Sequence, residues 1–198
     1  MEVEIHASLE KLARDMKLAL DREELRSKVQ RVALEVGIDG KVGKTLIVGC
    51  GMSSVELRGG IGGNCIVYHF DPASAQENEI RHELMHISDE LNPAFMYDLA
   101  YDTLALEVVR KVTDRETPLS RLLCELWNVN MDARLKGRGI PRDRRFAYFQ
   151  YFMKIDYGLP ILVSKEIFER LWTDRLIPYP ELVQIADEVW AEALRSQR

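Results

Sequence analysis

The chain has 198 residues, 46% of them hydrophobic, and a formal net charge of -5. That apolar content is enough to bury a core and excludes a disordered chain, and no apolar run approaches the roughly 18 residues of a membrane span. The mildly acidic balance weighs against a general nucleic-acid binder.

The start, MEVEIHASLEKLARD, lacks a basic stretch followed by an apolar one, so no secretory leader is expected. Leu9, Leu12, Met16 and Leu20 recur at helical spacing over residues 7–20, with Ser8 as the expected N-cap. Leu25, Val29, Val32 and Val36 repeat the pattern over 23–36, and Gly37 marks its end. From Gly40 the texture changes to short β-rich runs, TLIVGC (45–50), SSVELR (53–58) and NCIVYHF (64–70), separated by glycines. They predict a small antiparallel sheet built from hairpins. After Asp71-Pro72 the helical period returns. Ser74-x-x-Glu77 reads as a capping box for a helix to about Leu91, which Asn92-Pro93 would end. Helices are expected from about Phe95 to Val112 and Leu119 to Leu135, then over FAYFQYFMKI, KEIFERLW and PELVQIADEVWAEALR, punctuated by Pro160, Pro178 and Pro180. The order helices, sheet, helices predicts an α+β fold. We read 1–198 as one domain: N-terminal helices over 1–38, sheet and metal-binding helices over 40–135, and a C-terminal helical part over 141–198.

His82-Glu83-Leu84-Met85-His86 is an H-E-x-x-H sequence inside a strongly helical segment. Residues i and i+4 lie one turn apart on one helix face, so both imidazoles can reach one metal ion. From the position beside the first histidine, the Glu83 carboxylate can reach a metal-bound water rather than the metal. Zinc lowers the pKa of that water, and Glu83 then acts as general base. The plain alternative is a surface helix with two solvated histidines. Against it, Ile80, Leu84, Met85 and Ile87 indicate a helix at least half buried.

A catalytic zinc site takes three protein ligands and keeps one open position. Of the remaining histidines, His6 is at the terminus, and His69 on the NCIVYHF strand reads as a core or edge-strand residue more than as a ligand. A carboxylate on a later helix is therefore expected. Glu125, Asn128 and Asp132 fall at i, i+3 and i+7, a polar stripe on an otherwise apolar helix. Burying such a stripe is costly without partners. A metal is one partner; loop capping or solvent is the other reading.

An H-E-x-x-H helix after an edge strand, with a carboxylate on a downstream helix, resembles the zincin clan of metallopeptidases. Their glutamate-ligand branch carries E-x-x-x-D, which this chain lacks: Val129 follows Glu125 by four residues, and Asn128 precedes Asp132 by four. The W-N-x-x-x-D form at Trp127–Asp132 is closer to uncharacterised metallopeptidase-like domains of bacteria and archaea. That resemblance implies Asp132 as third ligand, with Glu125 as runner-up. It implies a zincin-like fold in which the NCIVYHF edge strand pairs with an extended peptide or protein substrate. The third histidine of the extended zincin signature is absent, since Asp89 and Glu90 follow His86. An oxyanion partner would come from Arg134, Tyr157, Tyr101 or His69.

Other features are read as decoys. Gly43-Lys44-Thr45 lacks the upstream glycine of a phosphate loop and precedes a strand. Gly59–Gly63 reads as a hairpin loop. The basic cluster Arg134, Lys136, Arg138, Arg142, Arg144 and Arg145 suits a helix end, and the aromatic run Phe146, Tyr148, Phe149, Tyr151 and Phe152 suits helix packing. Cys50, Cys65 and Cys124 include no C-x-x-C pair and read as free thiols in a reducing compartment, with Cys124 a small buried hydrophobe. The expectation is a cytoplasmic zinc-dependent peptidase, using Zn2+ or another divalent ion, with no membrane partner. The alternative is a non-catalytic metal-stabilised module that binds protein or nucleic acid.

Overall fold

The structure, a computed structural model, describes residues 1–51, 53–58, 64–74, 76–97 and 118–196. The fold is α+β with a four-stranded mixed sheet. The chain divides into two compact units, Met1–Leu91 and Asn92–Arg198. Among the described residues, no helix is long and apolar enough to cross a membrane.

The first unit runs β1 (Glu2–Ile5), α1 (Ala7–Asp15), α2 (Arg22–Glu35), β2 (Lys44–Gly49), β3 (Ser54–Arg58), β4 (Cys65–Phe70), a 3-10 turn (Pro72–Ser74) and α3 (Glu77–Glu90). Strand order is β1-β2-β4-β3. The expected antiparallel sheet is corrected here: β1 pairs with β2 and β2 with β4 in parallel, and only β3 with β4 is antiparallel. The connections explain the difference. The α1–α2 crossover returns the chain parallel to β1, and β2 pairs past β3 with the more apolar β4. The expected edge role of NCIVYHF is corrected for the same reason. Ile66, Val67 and Tyr68 are buried although they alternate between the two faces, which marks a central strand. The sheet edges are β1 and β3. β1 itself is absent from the sequence reading. Four residues, EVEI, alternate exposed and buried, too short a run to stand out.

Register places Val3, Ile5, Ile47, Ile66, Tyr68 and Phe70 on one sheet face. There they share a core with Leu9, Leu25, Val29, Val32, Ile80, Leu84 and Ile87 of the three helices. α1 approaches β2 so closely that a Cβ on Gly49 would lie 2.7 Å from the Leu9 Cα and the Ser8 carbonyl. The α1 N-cap is His6 rather than Ser8: its ring accepts from the Ser8 N–H. The Ser8 hydroxyl instead accepts from the Gly49 N–H at 3.1 Å, which takes it from capping to sheet docking. α1 also stops short, at Asp15, and Lys17 takes a left-handed conformation that frees Asp21 to cap α2. Gly37 ends α2 at φ 74°, as its position suggests.

The second unit holds a 3-10 turn (Pro93–Phe95), α4 (Pro118–Arg134), α5 (Arg142–Tyr157), α6 (Ile161–Leu171) and α7 (Tyr179–Ser196). The expected helix from Phe95 to Val112 lies almost wholly outside the described residues, as do Tyr101 and the Gly59–Gly63 loop. Phe95, Tyr97, Trp127 and Tyr179 form an aromatic cluster, the closest pairs 4.8 Å apart. Cys124 is exposed, not buried: on α4 it sits with Arg121 on the side away from Leu122, Leu126 and Val129.

Candidate metal centre

α3 forms because Ile80, Leu84 and Ile87 make one fully buried ridge, and because Glu77 and Glu79 place negative charge at the N-terminal turn. Its N-cap is Gln76, which makes no side-chain cap bond. The helix start expected at Ser74 is corrected: α3 begins after Gln76, and Pro72–Ser74 is a 3-10 turn ahead of it. One flank of α3 docks on α2. The buried Arg81 guanidinium donates to Glu35 at 2.9 Å, Asn78 at 3.1 Å and Glu77 at 2.6 Å, and the Ser88 hydroxyl donates to the Val36 carbonyl at 2.6 Å. Arg31 of α2 also bonds Glu77. This network fixes how α3 is rotated, and so where its remaining face points.

That face carries His82 and His86, both half-buried. Their ring centroids are 5.3 Å apart with planes at 86°. Two imidazoles ligating one tetrahedral ion at about 2.0 Å place their centroids about 5 Å apart, so the pair fits a shared divalent ion. Glu83 lies on the flank toward the sheet. Burial pushes its carboxyl up from its ordinary value; His82 acts against this and Glu79 with it. Tyr68 of β4 lies beneath the same flank. Burial first, then Glu83 and Glu79, push its phenol upward. Its hydroxyl is buried without a hydrogen bond of good geometry among the described residues, although the Ser53 side chain is near.

His69 alternates with Tyr68 and therefore lies on the opposite sheet face from α3. Among the described residues, no three His, Cys, Asp or Glu side chains are grouped to hold a metal ion.

Glu125 and Asp132 are brought together in the second unit, on Arg145. Asp132 accepts from Arg145 at 2.5 Å and from the Ile140 N–H at 3.1 Å, and Glu125 accepts from Arg145 at 3.2 Å. All three side chains are buried. A Cβ on Gly139 would lie 2.6 Å from Asp132 Oδ1, so the loop between α4 and α5 closes onto this carboxylate. A metal ion at either carboxylate would compete with the guanidinium.

Sequence reasoning passed over Asn130, the fully engaged centre of this helix. Its amide donates to the carbonyls of Leu171, Thr173 and Arg175, and its oxygen accepts from the Ile177 N–H and Arg134. The signal was an asparagine among buried Val129 and Met131. Arg134 is thereby committed to Asn130. Tyr157 is packed against Phe152 and Trp190, its phenol pushed up to about 12 by burial and by Asp156. Much of the basic cluster is also paired: Lys136 with Asp174 and Arg142 with Glu169, besides Arg145. Comparison of the chain with protein-family models, with curated proteins and with solved structures found no match.

Proposed function

We propose that this chain is a zincin-like, metal-dependent hydrolase of peptide bonds, centred on the half-buried His82–His86 face of α3. The observation that carries the reading is the His82–His86 pair at 5.3 Å beside a carboxylate, Glu83, in a partly apolar setting. The donor set of two imidazoles and a carboxylate suits zinc and also accepts other divalent transition ions. When bound, the ion supplies Lewis acidity toward water and an amide carbonyl.

The protein's own residues account for the rest. His82 and His86 hold the ion. Glu83 takes a proton from water at its carboxylate and returns it to the leaving amine, a cycle that burial favours by bringing its affinity for protons closer to neutrality. Because β4 is interior, β3 is the strand we assign to an extended peptide, since among the described residues it lies at the sheet edge. Asp132, with Glu125 as the alternative, is our choice for third ligand, and it requires exchange with Arg145. Cys50, Cys65 and Cys124 form no disulfide among the described residues, in keeping with the reducing, cytoplasmic setting we propose.

The test is bound metal measured alongside hydrolysis of a mixed peptide library. Glu83→Gln is expected to keep the metal and lose hydrolysis, while His82→Ala and His86→Ala lose both. A wild-type chain that takes up no divalent ion at all sinks the proposal.

A further inference from the structure

β4 places two aromatic side chains on the sheet face beneath α3, Tyr68 and Phe70, both fully buried and in edge contact at 5.5 Å. Phe70 shows that a plain phenyl ring packs on this face. Tyr68 lies in register between Ile47 of β2 and Val55 of β3, and shares its core with Ile80 and Leu84 of α3. Its hydroxyl adds nothing to that packing and has no hydrogen-bond partner among the described residues. Thr45 of β2, on the same face, does have one: it donates to the Met1 sulfur at 3.0 Å. A buried hydroxyl without a partner costs stability, and one retained in a native core calls for a role.

The carboxylates that act on this hydroxyl belong to α3. Glu79 and Glu83 lie one turn apart, beside the inward ridge of Ile80, Leu84 and Ile87, on a helix that packs against β3. Of the two, Glu83 acts on the phenol more strongly. Tyr68 is clamped by its neighbours. Glu83 is half-buried and has several side-chain torsions with which to reach it.

We propose that Tyr68 is a positioning residue for Glu83: its hydroxyl donates to one carboxylate oxygen once Glu83 turns to a water at the His82–His86 pair, and leaves the other oxygen to that water. This inference rests on the metal-dependent reading above and adds the group that sets the orientation of its base. A carboxylate offers about four lone-pair sites on two oxygens, so it accepts the phenol and meets the water together. A hydrogen bond to an ionised acceptor is short and directional. The proton that Glu83 takes from water passes to the leaving amine, and the phenol keeps its own. Burial, Glu83 and Glu79 push that phenol upward, so Tyr68 remains a donor throughout. Ser53 is the competing partner; its hydroxyl is near but already accepts from the Asp71 N–H at 3.4 Å.

The test compares Tyr68→Phe with wild type. Its thermal midpoint is expected to hold or rise and its zinc uptake to stay unchanged. Its kcat on a cleaved library peptide is expected to fall about ten- to hundredfold with KM unchanged, the pattern of a misaligned base. A tyrosine needed only for packing would lower the midpoint and spare kcat. Ser53→Ala is expected to keep kcat. A second signature needs no turnover. Zn2+ alone, added to the metal-free chain, should move a tyrosine ultraviolet band to longer wavelength, an effect absent in Tyr68→Phe and weakened in Glu83→Gln. The inference is overturned if Tyr68→Phe hydrolyses as fast as wild type, if its loss of rate follows a lower midpoint, if Ser53→Ala is equally slow, or if Zn2+ leaves the tyrosine spectrum unmoved. In each of those cases the metal-dependent reading still stands where wild type binds zinc and Glu83→Gln abolishes hydrolysis. A wild-type chain that takes up no zinc or other divalent ion overturns both.

Discussion

Asp132→Ala separates the two roles open to that carboxylate. In the structure, Asp132 accepts from Arg145 and from the Ile140 N–H, and its side chain is fully buried. Removing it takes one of two carboxylates from a buried guanidinium, leaving Glu125, and takes the acceptor from the Ile140 N–H. Breaking a buried ion pair by deleting one partner typically costs about 3–5 kcal/mol, so unfolding of the second unit is expected to lose that much. The readout is local: Trp127, Trp172 and Trp190 are the chain's three tryptophans and all lie in this unit. Urea unfolding followed by tryptophan fluorescence should therefore show an earlier midpoint, with metal content measured on the same samples. Arg145→Met is expected to cost a similar amount, since it leaves two carboxylates buried without their shared cation. The double variant should cost less than the sum, because the charges are removed together. An Asp132→Ala chain within about 1 kcal/mol of wild type would refute the ion-pair reasoning, because a satisfied buried pair cannot be lost so cheaply. If metal affinity also falls sharply while Glu125→Ala leaves it intact, Asp132 serves as ligand as well as bracket.

Three further outcomes follow from the first unit. Gly49→Ala should destabilise it by about 1–3 kcal/mol, the usual range for overpacking, because the added methyl meets backbone atoms of Ser8 and Leu9; an unchanged circular-dichroism melt would contradict this. Tyr68→Phe removes a buried hydroxyl that makes no good hydrogen bond among the described residues, so stability should hold or rise, and a loss beyond about 1 kcal/mol would mean the hydroxyl has a partner. Arg31, and to a lesser degree Arg81, hold the Glu77 carboxyl below its ordinary 4.5, against a smaller opposing effect of burial. A depressed folded value means the stabilisation is present above the unfolded value and is lost as pH falls through the folded one. Thermal midpoints of wild type should therefore drop below about pH 4.5 more steeply than those of Glu77→Gln, and parallel curves would refute the pairing.

The parts of the molecule that were legible in the sequence are those governed by local periodicity. α2, α4, α5, α6 and α7 lie close to where spacing and proline placement put them, and Gly37 stops α2 because only the left-handed turn there demands it. The His82–His86 pairing was legible for the same reason: i and i+4 on a helix leave little freedom. Sheet topology was not, because pairing is decided by which strand is buried on both sides, and that depends on helices packed on one face and on connections that skip β3. The caps were misread where a tertiary contact claimed the side chain, as the Gly49 N–H claims Ser8.

The α4 stripe shows where a stricter physical reading of the sequence could have gone further. Glu125 and Asp132 on an apolar helix demand positive partners, since isolated buried carboxylates are too costly to retain. A metal ion satisfies that demand, and so does an arginine. The sequence places a dense basic cluster immediately after the stripe, and read separately the two features became a ligand search and a solvated helix end. Read together, each is the other's explanation. A short loop after α4 folds the chain back, Gly139 lets that loop close against Asp132, and the first turn of α5 delivers Arg145 to both carboxylates. The same reasoning sorts the aromatic run that follows. Once Arg145 must point inward, helical spacing sends Phe149 and Met153 inward with it and leaves Tyr148, Tyr151 and Ile155 facing out. The buried ion pair thus sets the rotation of α5, and through it which of its side chains are left exposed.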